Sequence, residues 1–349
     1  MNSKDKNTTT RPIVSVIMAA YNCEQYIHEA IQSILNQTLQ AFELIIVNDC
    51  STDNTAKIIS SYSDSRIIAI NNSNNQGAAY SRNIAIKKAQ GSYIAILDAD
   101  DIALPERLKT QLLFLEKNNA YDGVGSFVQE IDASGKNIRF VKVPITHEEI
   151  KCSTTFRCSI IHSTAFIKKE FFINNNLFYK EDFLASQDFE MWSRALFVGK
   201  FYNIPQYLVK YRISLNQIST KNKKEQIRLA TTVYQHILSK LLLGNTSEEI
   251  NTHLAFIGFY NKKEQPSLPT ITDWLVLLYN QNLIYSIFDK KIFAHEILLR
   301  QLKYLKDNNF SLAGIFFKQL QLHLLLKKIY FPYYKLTKRI AKKIKQEQQ

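Results

Sequence analysis

Cysteine is scarce in this chain of 349 residues: Cys23, Cys50, Cys152 and Cys158 are all it has, and no two form a C-x-x-C pair. That excludes a disulfide framework and a zinc knuckle, and makes reduced thiols in a cytosolic protein the expectation. Long apolar runs are missing too. A transmembrane helix needs about 20 uninterrupted apolar residues. The nearest approach, 310–326, is broken by Lys318, Gln319, Gln321 and His323, so it is expected to be a buried or interfacial helix. The opening MNSKDKNTTTRP lacks an apolar core, and no secretory signal is expected from it. There is no internal repeat and no long low-complexity segment, while 46% hydrophobic residues suffice for a sizeable core.

Positive charge is what the chain has in excess, at +13, and it is unevenly spread. Residues 221–349 hold 21 basic and 9 acidic side chains, whereas residues 1–220 hold 23 and 22. A single basic DNA-binding domain is therefore a poor description, and no nucleic-acid partner is expected.

Residues 13–18 and 42–47 are nearly continuous apolar runs, as buried parallel strands require. Segments 66–70 and 92–97 read as two further strands. Between them lie helix-period segments at 27–35, 56–62 and 77–89. This α/β alternation predicts a parallel sheet, whose ligands sit beyond the carboxyl ends of its strands. Those ends carry Tyr21-Asn22, Asn48-Asp49, Asn71-Asn72 and Asp98-Ala99-Asp100-Asp101. Crowded carboxylates repel unless a cation sits among them, and Mg²⁺ or Mn²⁺ held by one or two carboxylates plus substrate phosphates would answer that. An acidic start to the helix at Pro105-Glu106-Arg107 is the competing explanation.

Five ordered motifs then carry a resemblance: VSVIMAAYN (14–22), ELIIVNDCSTD (43–53), NQGAAYSRN (75–83), LDADD (97–101) and QDFEMW (187–192). Together they resemble the family 2 glycosyltransferases over about residues 12–220. The resemblance implies the GT-A nucleotide-sugar-binding fold and transfer of a sugar, with inversion, from a UDP donor to an acceptor hydroxyl. It assigns Ala20, Tyr21 and Asp49 to the base, Arg82 and Asp98 to the nucleotide, Asp98 and Asp100 to the Mn²⁺ or Mg²⁺, and Asp188 to the catalytic base. An ordinary aspartate is a weak base for an alcohol, so proton transfer would come late. Gln187 stands where the family often has glutamate, and Ser214 where a histidine is frequent, which leaves Arg212 as the candidate phosphate contact. His162, Gln187 and Trp192 fall on the acceptor side. Taken singly, these residues have plainer explanations: Asp49 and Asp188 as helix-start acids, Arg82 as a solvated helix residue, His162 as a hydrogen-bonded histidine.

The expected organisation is a flexible arm (1–11), a GT-A domain (12–220) and a helical basic region (221–349), with helices at 226–243, 273–288, 291–306 and 310–328. Residues 327–349 place Tyr333, Leu336, Ile340 and Ile344 opposite most of their lysines, a pattern suited either to an anionic membrane surface or to packing on the domain. The family implies a glycan or lipid-linked acceptor in surface polysaccharide synthesis, at the cytoplasmic face of the membrane. Two rivals can be stated: a catalytically silent membrane- or polysaccharide-binding protein, and a nucleotidyltransferase on a similar sheet. The latter needs a Gly- and basic-rich loop after the first strand, and 20–25 has neither.

Overall fold

The computed structural model describes residues 11–213, 223–259 and 266–308. Ser214, the helix expected at 310–328 and the basic segment 327–349 lie outside them. The described residues fall into two compact units that meet in sequence at Ile237 and Leu238.

In the first unit the chain runs β1 (Val14–Ala20), α1 (Ile27–Leu35), β2 (Phe42–Asn48), α2 (Thr55–Ser60), β3 (Ile67–Asn71), α3 (Ala78–Lys88) and β4 (Tyr93–Ile96). It continues through β5 (Ile102–Ala103), α4 (Arg107–Lys117), β6 (Gly123–Ile131), β7 (Asn137–Val141) and α5 (His147–Thr154). A 3-10 turn at His162–Thr164 precedes β8 (Phe166–Lys168), α6 (Lys169–Asn174), α7 (Gln187–Ala195), β9 (Phe201–Arg212) and α8 (Lys223–Ser239), whose last two residues fall in the second unit. The strands form one sheet in the order β3-β2-β1-β4-β8-β6-β9-β5, and β7 pairs with β6.

The first four strands are parallel, as their unbroken apolar runs predict; Val14 faces Phe42, and Leu44 faces Ile67. Alternation along β1 sends Val14, Val16, Met18 and Ala20 into one core with Ile27, Ala30, Ile31 and Ile34 of α1. Ile17 faces the opposite core, with Ala85 and Ile86 of α3 and Met191 and Trp192 of α7. Burial on both faces is what keeps a parallel strand apolar throughout. Beyond β4 the sheet turns mixed. β8 runs antiparallel to β4 and β6, while β9 runs parallel to β6 and antiparallel to β5. This second half brings the end of β9 back beside the acids that follow β4.

The second unit contains α9 (Ser247–Phe256), α10 (Leu268–Tyr285) and α11 (Lys290–Asp307). The last two agree with the expected helices to within a few residues. A capping box between Thr246 and Glu249 starts α9, and Ser267 with Pro269 behind it starts α10. No helix among the described residues is long and apolar enough to cross a membrane.

Candidate active site

The loops after β1 and β2 are laced together at the carboxyl edge of the sheet. Asn22 and Cys50 take left-handed backbone there. Asn22 accepts the Thr52 amide at 2.8 Å, and Glu24 accepts the Asn54 amide at 2.9 Å. Ala20 is buried, and its carbonyl accepts the Asp49 amide at 2.8 Å. Tyr21 stands 50% exposed on the rim. The Asp49 carboxylate is buried and engaged on both oxygens. Oδ1 accepts from Asn72 Nδ2 (2.7 Å) and the Gln76 amide (3.0 Å), and Oδ2 accepts from the Gly77 amide (2.7 Å). Gly77 can turn its amide this way because it lies at φ +89°, a region open chiefly to glycine. Asp49 thus anchors the start of α3, the helix that carries Arg82.

Asp98, Asp100 and Asp101 follow β4. Arg82 is buried (8% exposed), so it is not the solvated helix residue it could have been. Its Nη2 donates to Asp98 Oδ1 at 2.6 Å. Burial opposes both charges, but the mutual attraction prevails, holding the Asp98 carboxyl below its ordinary value and Arg82 above its own. Asp100 forms no such pair. Burial, and then the charge of Asp98, push its carboxyl up to about 6. Asp101 is fully buried; its Oδ1 accepts the Arg212 amide at 2.7 Å, and its Oδ2 has no partner. Burial, followed by the charges of Asp100 and Asp98, drives its carboxyl well above the usual range. Negative charge is therefore compressed here with only part of it neutralised. Hard oxygen donors in that state fit Mg²⁺ or Mn²⁺. Among the described residues no three His, Cys, Asp or Glu side chains form a ready-made ligand set.

The second acidic element joins this one in space. Asp188 sits half-buried in the first turn of α7, just after Ser186, whose φ of 57° is a strained backbone value for a non-glycine residue. The charges of Asp98 and Asp188 both reach the same three side chains: Arg82, His162 and Tyr179. His162 is buried, and burial pulls its imidazole down to about 4, so it is neutral at pH 7. Its Nε2 lies 3.0 Å from the Tyr179 hydroxyl, while its Nδ1 has no partner. Gln187 is buried beside Asp188 in sequence. Trp192, expected on the acceptor side, is 1% exposed, and its ring packs edge-on against His162 and Phe201 in the core. A ring so enclosed supports His162 from below and has no surface to offer an acceptor.

Arg212, the candidate phosphate contact, has its guanidinium engaged by protein groups. It is fully buried at the end of β9, with its cation 4.4 Å from the Tyr26 ring. Nε donates to the Asp100 carbonyl (2.8 Å), Nη1 to the carbonyls of Asp132 and Ala133 (both 3.1 Å), and Nη2 to Glu29 (2.6 Å). A guanidinium so engaged clamps the main chain of the acidic loop. Arg107 and Gln111 of α4 brace the same loop from beneath, donating to the carbonyls of Ile96 (2.7 Å) and Thr164 (2.7 Å). Sequence reasoning missed Asn83, Tyr179, this pair and Ser163, whose hydroxyl accepts the Asp98 amide at 3.1 Å. Only Asn83 carried a signal, as the second residue of the Arg-Asn motif.

Comparison with known proteins agrees with this geometry. Residues 15–183 match the model for glycosyl transferase family 2, a span that includes Asp49, Arg82, Asp98 and Asp100. An uncharacterized glycosyltransferase of Haemophilus influenzae is 35% identical over 232 residues, covering 64% of this chain and 72% of that protein. The Escherichia coli UDP-Glc:alpha-D-GlcNAc-diphosphoundecaprenol beta-1,3-glucosyltransferase WfaP is 34% identical over 218 residues, covering 62% and 83%. Among solved structures, Staphylococcus aureus TarS 1-349 in complex with UDP-GlcNAc superposes with a TM-score of 0.58 at 17% identity, covering 83% of this chain and 88% of that one; the likeness is one of fold. With motif order, sheet topology and relatives in agreement, the chain belongs to glycosyltransferase family 2 and has the GT-A fold with a helical C-terminal extension.

Proposed function

We propose that this glycosyltransferase moves a sugar from a UDP donor to an acceptor hydroxyl on a lipid-linked oligosaccharide or surface polysaccharide, by single displacement with inversion. The observation that carries the reading is the chain of contacts from Asp98 through Arg82 and Tyr179 to His162, three side chains that the charge of Asp188 also reaches. The donor and acceptor specificity of the E. coli relative supports the choice of substrates.

In this reading the rim of Ala20 and Tyr21 and the Asp49 corner receive the base. Arg82 pairs with Asp98 in the free enzyme and offers its cation to the nucleotide when the donor arrives, since a guanidinium is a fixed fork for phosphate oxygens. Asp98 and Asp100 would hold Mg²⁺ or Mn²⁺, which when bound offsets the charge of the departing diphosphate. Arg212 keeps the acidic loop in place. Asp188 takes the proton from the acceptor hydroxyl as the new bond forms, and His162 with Gln187 borders the acceptor. Residues 12–220 carry the chemistry. The basic segment 327–349 attaches the enzyme to anionic lipid at the cytoplasmic membrane face, where a lipid-linked acceptor resides.

A thermal-shift screen of UDP-, GDP- and dTDP-sugars with and without Mn²⁺ tests this. At 100 times its Kd the true donor adds about 2.7 kcal/mol of stability. One UDP-sugar should therefore raise Tm by several degrees with Mn²⁺ and far less with EDTA. No shift from any nucleotide sugar overturns the reading, and an equal shift in EDTA overturns its metal component.

A further inference from the structure

Between α6 and α7 the chain passes through residues 176–181, a stretch with no regular structure of its own. It touches both halves of the site through polar groups. On the α3 side, Asn83 follows Arg82 and is buried. Its Oδ1 accepts the Tyr179 amide at 2.9 Å, and its Nδ2 donates to the Tyr179 carbonyl and to Glu181 Oε1, each at 2.9 Å. A side-chain amide here pairs with one residue's main chain in both directions, as a neighbouring strand would.

On the α7 side, Glu190 is buried and takes Lys180 Nζ at 2.9 Å and a two-pronged contact from Arg194, at 2.9 and 2.8 Å. The same Arg194 donates to the carbonyls of Asn176 (3.1 Å) and Phe178 (2.7 Å). The stretch is thus pinned at Tyr179 and Glu181 to the helix of Arg82, and at residues 176, 178 and 180 to the helix of Asp188. Tyr179 itself completes the bridge. Its ring lies under the Arg82 cation, 5.6 Å from the ring centre, and its hydroxyl meets His162.

We propose that Asn83 is a positioning residue that sets the spacing between the Asp98 and Asp188 halves of the site through residues 176–181. The inference rests on the reading of Asp188 as the base given above. Asn83 touches no reacting group. It fixes Tyr179, and through it the approach of α7, so that the base stands at the right distance from the donor. Its loss should spare donor binding, which draws on Arg82 and Asp98, and damage transfer. Misplacing reacting groups by about 1 Å costs on the order of a hundredfold in rate.

The test compares the full chain with Asn83→Ala, Glu181→Ala, Glu181→Gln and Asp188→Asn, at saturating UDP-sugar and well below each Tm. For Asn83→Ala, kcat should fall roughly 10- to 100-fold while the Kd for UDP with Mn²⁺ stays within about threefold. Glu181 is exposed, so its variants fold even if Asn83→Ala does not. Glu181→Ala removes one of the three bonds and should lower kcat by roughly threefold, whereas Glu181→Gln keeps an acceptor and should restore it. A folded Asn83→Ala with kcat within twofold of wild type, a parallel loss of UDP affinity, or a Glu181→Ala with unchanged kcat overturns the proposal. If Asp188→Asn is inactive while Asn83→Ala is active, the positioning role of Asn83 alone falls. If Asp188→Asn transfers normally, the assignment of the base falls and takes that role with it.

Discussion

Asp188→Asn is expected to lower kcat for sugar transfer by about a thousandfold, within the range a general base contributes, with the Kd for the UDP-sugar unchanged within about twofold. The substitution is nearly isosteric, so the first turn of α7 keeps its packing. A helix-start role would produce the opposite pattern. Losing a favourable charge in the first turn of α7 costs about 0.3–1 kcal/mol of stability and leaves kcat alone. Steady-state kinetics and a thermal melt on one preparation separate these outcomes.

Asp100→Asn is expected to move two quantities in opposite directions. Mn²⁺-dependent stabilisation by the UDP-sugar should disappear and transfer should fall by at least a hundredfold, because the charge an ion offsets at the diphosphate is worth several kcal/mol. The metal-free protein should meanwhile become more stable near pH 8, by about 2–4 °C for each kcal/mol gained. The sign follows from the raised carboxyl. Burial and Asp98 bring Asp100 to about 6 from an unfolded value of 3.8, so the folded state resists ionising it. Wild-type stability from this group is present below pH about 4 and is lost as pH rises through about 6. The advantage of the asparagine should therefore shrink to nothing as the pH is lowered to about 4. Melting curves of both proteins in EDTA across that range measure it.

Much of this site is legible in the sequence. Parallel strands buried on both faces must be apolar throughout, so β1, β2 and β4 announced themselves, and the acids at their ends could be placed on one edge. The remainder was illegible for identifiable reasons. β5 and β8 have two and three residues, too few for any period to show. Helix α9 could have been found from its Thr-x-x-Glu capping box at Thr246, just before the apolar positions Ile250 and Leu254. The family resemblance made Arg212 a candidate phosphate contact, but only the topology of β9 shows that its guanidinium is spent on carbonyls and Glu29. Trp192 looked available because it shares a motif with Asp188, yet its ring packs against His162 and Phe201 in the core. The Asn83–Tyr179 bonds join residues 96 apart, and no local pattern encodes such a pairing.

Single displacement with Asp188 as the base fixes the anomeric configuration of the product. The UDP-sugar selected by the stability screen is turned over with acceptor, and the configuration of the new glycosidic bond, an acetal that does not mutarotate, is read by proton NMR. Inversion is predicted, so that an α-linked donor gives a β-configured product, and Asp188→Asn should suppress its formation about a thousandfold. A product that retains the donor's configuration contradicts the account.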